Sequence, residues 1–335
     1  MLSLTSNYQN TTKKKIYAFA LLLLWLILVT WLINDRQNIL DWVSLIGYKE
    51  PLDISQLAAQ DTMTAYAQGL FKLNKPEILD KSSFSKPCPN NGGEQTIVLG
   101  CYHPDQAGIF LLNETDPRLY GVEQVTAAHE MLHAAYDRLS SNEKAKVNAM
   151  LLDYYDHNLH DPRILGEIGI YKKTEPKAVV NEMHSVFGTE IANLPSGLEQ
   201  YYKKYFTNRQ VITNYAAKYQ AEFTARQDQI TEYNNELTQL KPQISSLELD
   251  LNSKSNTISS LQNQLNSFKN SGNIPAYNRG VPTYNNLIDQ YNAEVDQIKS
   301  LTTQYNQIVN EVNNISLIEN QLYQELSGNQ TTINR

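Results

Sequence analysis

The chain has 335 residues, a net charge of −7 and a mean hydropathy of −0.46. With no long basic run beyond the amino terminus, that balance argues against nucleic acid as a partner. The length permits a sizeable core and two domains, and the carboxyl-terminal half is richer in Asn, Gln, Ser and Tyr, which marks a second region.

Residues 16–33 form an apolar run in which Thr30 is the one clearly polar member. Eighteen helical residues span about 27 Å, close to the hydrocarbon thickness of a bilayer. The run is long for a signal-peptide core, and no small-x-small cleavage site follows Trp31. A buried core helix would rarely be so uniformly apolar. The expectation is an uncleaved single-pass anchor. Lys13, Lys14 and Lys15 precede it, while Asp35 and Arg36 cancel behind it. The amino terminus (residues 1–15) is therefore expected in the cytoplasm, with the rest outside. Residues 37–50 read as a juxtamembrane segment, with Trp42 and Tyr48 near the interface.

The two cysteines, Cys88 and Cys101, flank a loop-like stretch containing Gly92 and Gly93. In an oxidising compartment they would close a short disulfide loop; the alternative is two unrelated thiols. Cys88, Cys101 and His103 match no usual zinc spacing. Asp53–Leu73 has helical periodicity, broken by Pro76 and the prolines that follow. Gln95–Tyr102 and Gly108–Asn113 read as short strands around a turn at 103–107, together an antiparallel hairpin. An ordinary structural hairpin explains them equally well.

Val122–Leu139 reads as a helix containing His129-Glu130-Met131-Leu132-His133, an H-E-x-x-H sequence. Two histidines four apart share a face, so both rings can reach one metal ion. Imidazole ligands with an open position suit Zn²⁺. Glu130 is then available to take a proton from the attacking water. The competing interpretation is an amphipathic helix with two hydrogen-bonded histidines. At these residues the chain resembles the zincin metallopeptidases. The resemblance implies zinc bound by His129 and His133, a catalytic Glu130, and a protein or peptide substrate aligned on an edge strand, for which Ala107–Asn113 is the candidate.

A helix over Glu143–His157 follows, capped at Ser140–Asn142, with His157 and His160 read as surface or cap histidines. Asp161-Pro162 opens a segment read as irregular through Gly166 and Gly169. Next comes a helix started by Pro176 and ended by Gly188. Glu182 lies on its apolar side with Ala178, Val179, Ser185 and Val186, and a carboxylate there needs a partner. This arrangement resembles the gluzincins, whose third zinc ligand is a glutamate on a later helix, often after an asparagine as Glu182 follows Asn181. No aspartate stands at the family's usual spacing to orient a histidine; His184 and Ser185 occupy that region. His184 is the alternative ligand, or a hydrogen-bond donor to the tetrahedral intermediate.

From residue 230 a heptad runs through Ile230, Leu237, Ile244, Leu251, Ile258 and Leu265, with Tyr233, Leu240, Leu247, Lys254, Leu261 and Phe268 alongside. A Gly/Pro-rich loop near 270–283 precedes a second seam from Tyr284 to Leu322. An antiparallel hairpin is expected, with parallel dimerisation or another coiled-coil partner as the competing interpretation.

The expected fold is α+β, mainly α. A zincin-like domain with a small antiparallel sheet (residues 37–208) follows the anchor, and a coiled-coil region (209–328) ends the chain. The expected function is that of a membrane-anchored extracytoplasmic zinc metallopeptidase. The alternatives are an inactive membrane-tethered coiled-coil scaffold and an assembly protein carrying a chance motif.

Overall fold

The computed structural model describes residues 4–89, 98–104 and 108–326; for residues 4–13, 16, 33 and 34 it describes the backbone alone. Gly92, Gly93, the start of the expected strand at Gln95, most of the 103–107 turn, Ala107 and the last residues of the coiled-coil region lie outside the described residues. The fold is mainly helical with one small sheet. It begins with α1 (Leu4–Asn34) and α2 (Arg36–Ser44). Among the described residues no single helix is long and apolar enough to cross a membrane. Tyr17–Leu32 and Arg36–Ser44 meet the criterion only as a pair, bent by 62° at the break.

The expected single helix over Asp53–Leu73 is two helices, α3 (Leu52–Gln60) and α4 (Ala65–Leu73). Thr62 adopts φ +52° between them, and its carbonyl accepts hydrogen bonds from the Thr207 amide and hydroxyl. Thr64 then caps α4 by accepting from the Ala67 amide. Long-range bonds to these threonines outweigh a periodicity that carries straight across the break.

Strand β1 (Glu77–Leu79) is followed by the short helix α5 (Lys81–Phe84), then β2 (Gly100–His103) and β3 (Gly108–Leu112). The strand order is β1-β3-β2, with β1 parallel and β2 antiparallel to β3. The expected antiparallel hairpin is present, but the sheet is mixed because β1 joins it. A three-residue strand directly after Pro76 is too short to show a period. One consequence corrects the sequence reading: β3 is the central strand, hydrogen-bonded on both sides, so it cannot be the edge strand expected at Ala107–Asn113. The outer strand on the hairpin side is β2. The Cys88–Cys101 disulfide, with Cα atoms 5.8 Å apart, ties β2 to the turn after α5.

Helix α6 (Val122–Asp137) carries the H-E-x-x-H sequence, and α7 (Ser141–His157) starts at a capping box formed by Ser140 and Glu143. The segment expected to be irregular after Asp161-Pro162 is instead α8 (Pro162–Thr174). Asp161 accepts from the Arg163 and Ile164 amides and Pro162 occupies the first turn, so the pair starts a helix. Next come α9 (Val179–Glu190) and α10 (Ser196–Tyr202).

Gly188 does not end α9. A β-carbon there would lie 2.5 Å from Leu132 Cδ1 and 2.7 Å from Tyr202 Cε1. Its hydrogen atom is what lets α6 and α10 approach α9. Arg209 closes the far end of α9, donating to the Ile191 carbonyl at 2.6 Å and the Ala192 carbonyl at 3.0 Å while pairing with Glu199.

The last two helices are α11 (Arg209–Asn270) and α12 (Ile274–Leu326). They pair within the chain as a hairpin. The expected heptad positions of α11 are its more buried ones, with Leu240 and Leu265 at 7% exposure. The connection is only Ser271–Asn273, shorter than the loop expected to reach residue 283. Pro275 sits in the first turn of α12, where no donor is lost. Gly280 faces the seam, since a β-carbon there would lie 2.7 Å from Leu265 Cδ2. Lys254 falls at a seam position and pairs with Asp250 and with the buried Glu294 of α12, 2.9 Å away.

The chain divides into two compact units. One comprises the amino-terminal segments, the sheet, and the helices from Glu123 to Thr213. The other comprises the chain from Asn214 onward and also takes in Leu99 and Glu114–Val122. In that second unit Leu119 and Val122 form an apolar cluster with Leu322 and Leu326, flanked by Tyr219 and Phe223. The boundary therefore does not fall at one point in the sequence.

Candidate metal centre

The site is built on two helices. On α6, His129 and His133 are one turn apart on one face, and their Nε2 atoms lie 3.0 Å apart. From α9, Glu182 presents both oxygens: Oε2 is 3.6 Å from His129 Nε2 and Oε1 is 3.7 Å from His133 Nε2. All three side chains are largely buried, and Glu182 Oε2 is a buried oxygen without a hydrogen-bond partner. Three ligands about 2.1 Å from a tetrahedral ion would be separated by about 3.4 Å. The observed separations, with each histidine measured to a different carboxylate oxygen, bracket that value, and an ion between them would satisfy the orphaned Glu182 Oε2. The His129–His133–Glu182 group could hold a metal ion.

Without an ion the three form a coupled charge cluster. Burial opposes charge on His129, but its contact with the Glu182 carboxylate and the nearby charges of Glu130 and Glu190 lift it to about 9. Burial also works against the Glu182 anion, yet the positive charges of His133 and His129 hold its carboxyl below the usual range. Metal binding would displace the proton from His129.

Glu130 is 6% exposed and points from α6 toward the start of β2. A β-carbon on Gly100 would lie 3.0 Å from Glu130 Oε1, so the outer strand passes directly over this carboxylate. Burial raises the Glu130 carboxyl above the ordinary range, only partly offset by the nearby histidines. A raised carboxyl is a stronger base once ionised.

His184 stands apart from this group. It is fully buried, its Nε2 is 2.8 Å from Tyr201 Oη, and its ring packs among those of Tyr136, Tyr201, Tyr202 and Tyr205. Its backbone carbonyl accepts a 2.6 Å hydrogen bond from Tyr202 Oη. Burial pushes its pKa down to about 3, so the ring is neutral. Two residues along α9 turn a side chain by about 200°, which sends His184 away from the face that carries Glu182. It is neither a member of the ligand group nor exposed to a substrate.

A second charged cluster lies close by and gave no signal in the sequence. Arg163 of α8 donates to Glu167 at 3.3 Å and pairs with Glu190 of α9 at 2.7 Å. Burial and the Glu190 charge push Glu167 up to about 7. The Cys88–Cys101–His103 trio is also close-packed, with His103 Nε2 2.7 Å from the Pro87 carbonyl, but the disulfide uses both sulfurs.

Comparison with models of known families, with curated proteins and with solved structures gives no match. The case for function therefore rests on the site.

Proposed function

We propose that the chain is a zinc metallopeptidase anchored in a membrane by residues 16–33, with its site on the extracytoplasmic side. The observation that carries this reading is the convergence of His129, His133 and Glu182 at tetrahedral separations, with the buried Glu130 carboxylate on the same helix. A zinc ion in that group would polarise a scissile carbonyl and bring the pKa of water toward neutrality.

The chain's own residues supply the rest. His129, His133 and Glu182 would hold the ion. Glu130 accepts a proton from the attacking water as the new C–O bond forms, then delivers it to the leaving amine as the C–N bond breaks. Strand β2, the sheet's outer strand beside Glu130, takes the role first given to β3 and orients an extended peptide. His184 is assigned a supporting role through its tyrosine cage. The disulfide supports an oxidising compartment, in keeping with the lysines that precede residue 16.

The second reading is a membrane-tethered scaffold, favoured by the length of the α11–α12 hairpin. The variant Glu130→Gln separates the two. A peptidase loses hydrolysis of an unfolded protein substrate while keeping its zinc. A scaffold shows no hydrolysis in either form.

A further inference from the structure

We propose that α2 is a membrane-surface helix whose apolar face lies at the lipid headgroup boundary while its polar face is fastened to the metal-site helix. This rests on the anchored reading of residues 16–33 and adds a second, distinct membrane contact.

The argument starts from the wheel positions of α2. Ile39, Leu40, Trp42, Val43 and, one turn on, Ile46 fall on one side; Gln37, Asn38, Asp41 and Ser44 fall on the other. On the polar side Gln37, Asn38 and Ser44 are exposed, while Asp41 at its centre is tied down. Arg138 donates from both terminal nitrogens to the Asp41 carboxylate, at 2.6 and 2.7 Å, and Gln37 Nε2 donates to the same carboxylate at 3.0 Å. Most of the apolar side is uncovered: Trp42 is 69% exposed, Ile46 64%, Val43 50% and Leu40 49%, with Ile39 half-buried. A folded soluble chain rarely leaves such a cluster in water.

Lipid is the occupant that the connectivity favours. Only Asp35 separates α2 from α1, whose residues from Tyr17 to Leu32 are exposed apart from Val29. With α1 along the bilayer normal, the 62° bend would lay α2 nearer the membrane plane than the normal. It would then lie at the level where amphipathic helices bury their apolar faces, and Trp42 is the residue type enriched there. Arg36 falls on the apolar side, between Leu40 and Val43 by wheel position, where its apolar stem can lie against lipid while its guanidinium reaches phosphate groups. On the opposite side, Arg138 directly follows α6. The helix carrying His129 and His133 is therefore fastened to the bilayer contact, not hung on a free tether.

The test uses the full chain with Trp25→Phe and Trp31→Phe, leaving Trp42 as the one remaining tryptophan of the three. The protein is reconstituted into phosphatidylcholine–phosphatidylglycerol vesicles. Trp42 fluorescence is then quenched with aqueous iodide or with lipids brominated high on the acyl chain. The expected result is protein that resists an alkaline carbonate wash, with Trp42 protected several-fold from iodide and quenched by brominated lipid. Retained protein with an iodide-accessible Trp42 overturns this inference and leaves the anchor standing. Retained protein with Trp42 shielded from both quenchers overturns it too, because another protein surface then covers the face. Loss of the protein in the wash overturns the anchor and this inference together.

Discussion

Gly100 and Glu130 approach so closely that a β-carbon on Gly100 would lie 3.0 Å from both Oε1 and Cγ of Glu130, and 2.5 Å from Thr126 Cγ2. The outer strand and the metal-site helix can meet at this distance only because residue 100 has no side chain. The proposed base and the proposed substrate strand are thus positioned by one contact. Gly100→Ala is expected to destabilise the fold by about 1–3 kcal/mol through overpacking. It should also lower kcat/KM on the order of 10²-fold by displacing Glu130. Zinc content should stay unchanged, because His129, His133 and Glu182 lie on α6 and α9. Metal analysis beside a peptidase assay checks this; full activity in the variant would show that the contact does not position Glu130.

Asp61 is fully buried and neither of its carboxylate oxygens has a hydrogen-bond partner among the described residues. Burial pushes its pKa well above the ordinary range of an aspartate. Between the unfolded and folded pKa values the folded chain binds the extra proton. Stability contributed here is therefore present at low pH and lost as pH rises from about 4 through the raised pKa. Asp61→Asn should remove that slope and raise stability at pH 7 by about 1–3 kcal/mol. Denaturant midpoints of both proteins at pH 5 and pH 7 decide it: equal midpoints at pH 7 would mean that the carboxylate is stabilised after all.

In the helical hairpin, Lys254 occupies an apolar-seam position only because Glu294 faces it. Glu294→Ala should lower the melting temperature by leaving the ammonium with the exposed Asp250 as its remaining partner and none across the seam. Replacing both residues with methionine should restore it. If the single and double variants melt alike, the pair does not act as a unit.

The Cys88–Cys101 bridge closes a loop of 13 residues' separation and holds β2 against the turn after α5. Reduction, or a double Cys→Ser variant, is expected to cost about 3 kcal/mol. Because β2 is the proposed substrate strand, KM should rise more than kcat falls. Unchanged KM in the reduced protein would separate the disulfide from substrate alignment.

The metal group was legible because its signal is local. The i, i+4 spacing of His129 and His133 fixes their shared face, and the apolar neighbours of Glu182 fix which way it points. His184 is only two residues from Glu182, yet its angular position on the same helix turns it to another face, and that direction follows from the helical period. The heptads of α11 and α12 were readable for the same reason as the H-E-x-x-H face: a helical period is written in every turn. Lys254, a charge among those heptad positions, has its cross-seam partner Glu294 forty residues away.

Features set by distant residues stayed hidden. The break at Asp61–Thr64 depends on Thr207, the central place of β3 depends on a three-residue β1, and the Arg163–Glu167–Glu190 cluster joins α8 to α9. Gly188 and Gly280 read as helix breakers, whereas both are points of close helix approach. A glycine's role depends on what it faces, which sequence alone does not record.

The central claim is that His129, His133 and Glu182 hold one zinc ion that Glu130 serves but does not bind. The measurement that tests it most directly is the zinc content of the full chain beside the variants His133→Ala, Glu182→Ala and Glu130→Gln, after reconstitution and removal of loose metal. The account predicts one zinc per chain in the wild type and in Glu130→Gln, almost none in His133→Ala, and a weakened site in Glu182→Ala. Zinc bound equally by all four proteins, or by none, would contradict it.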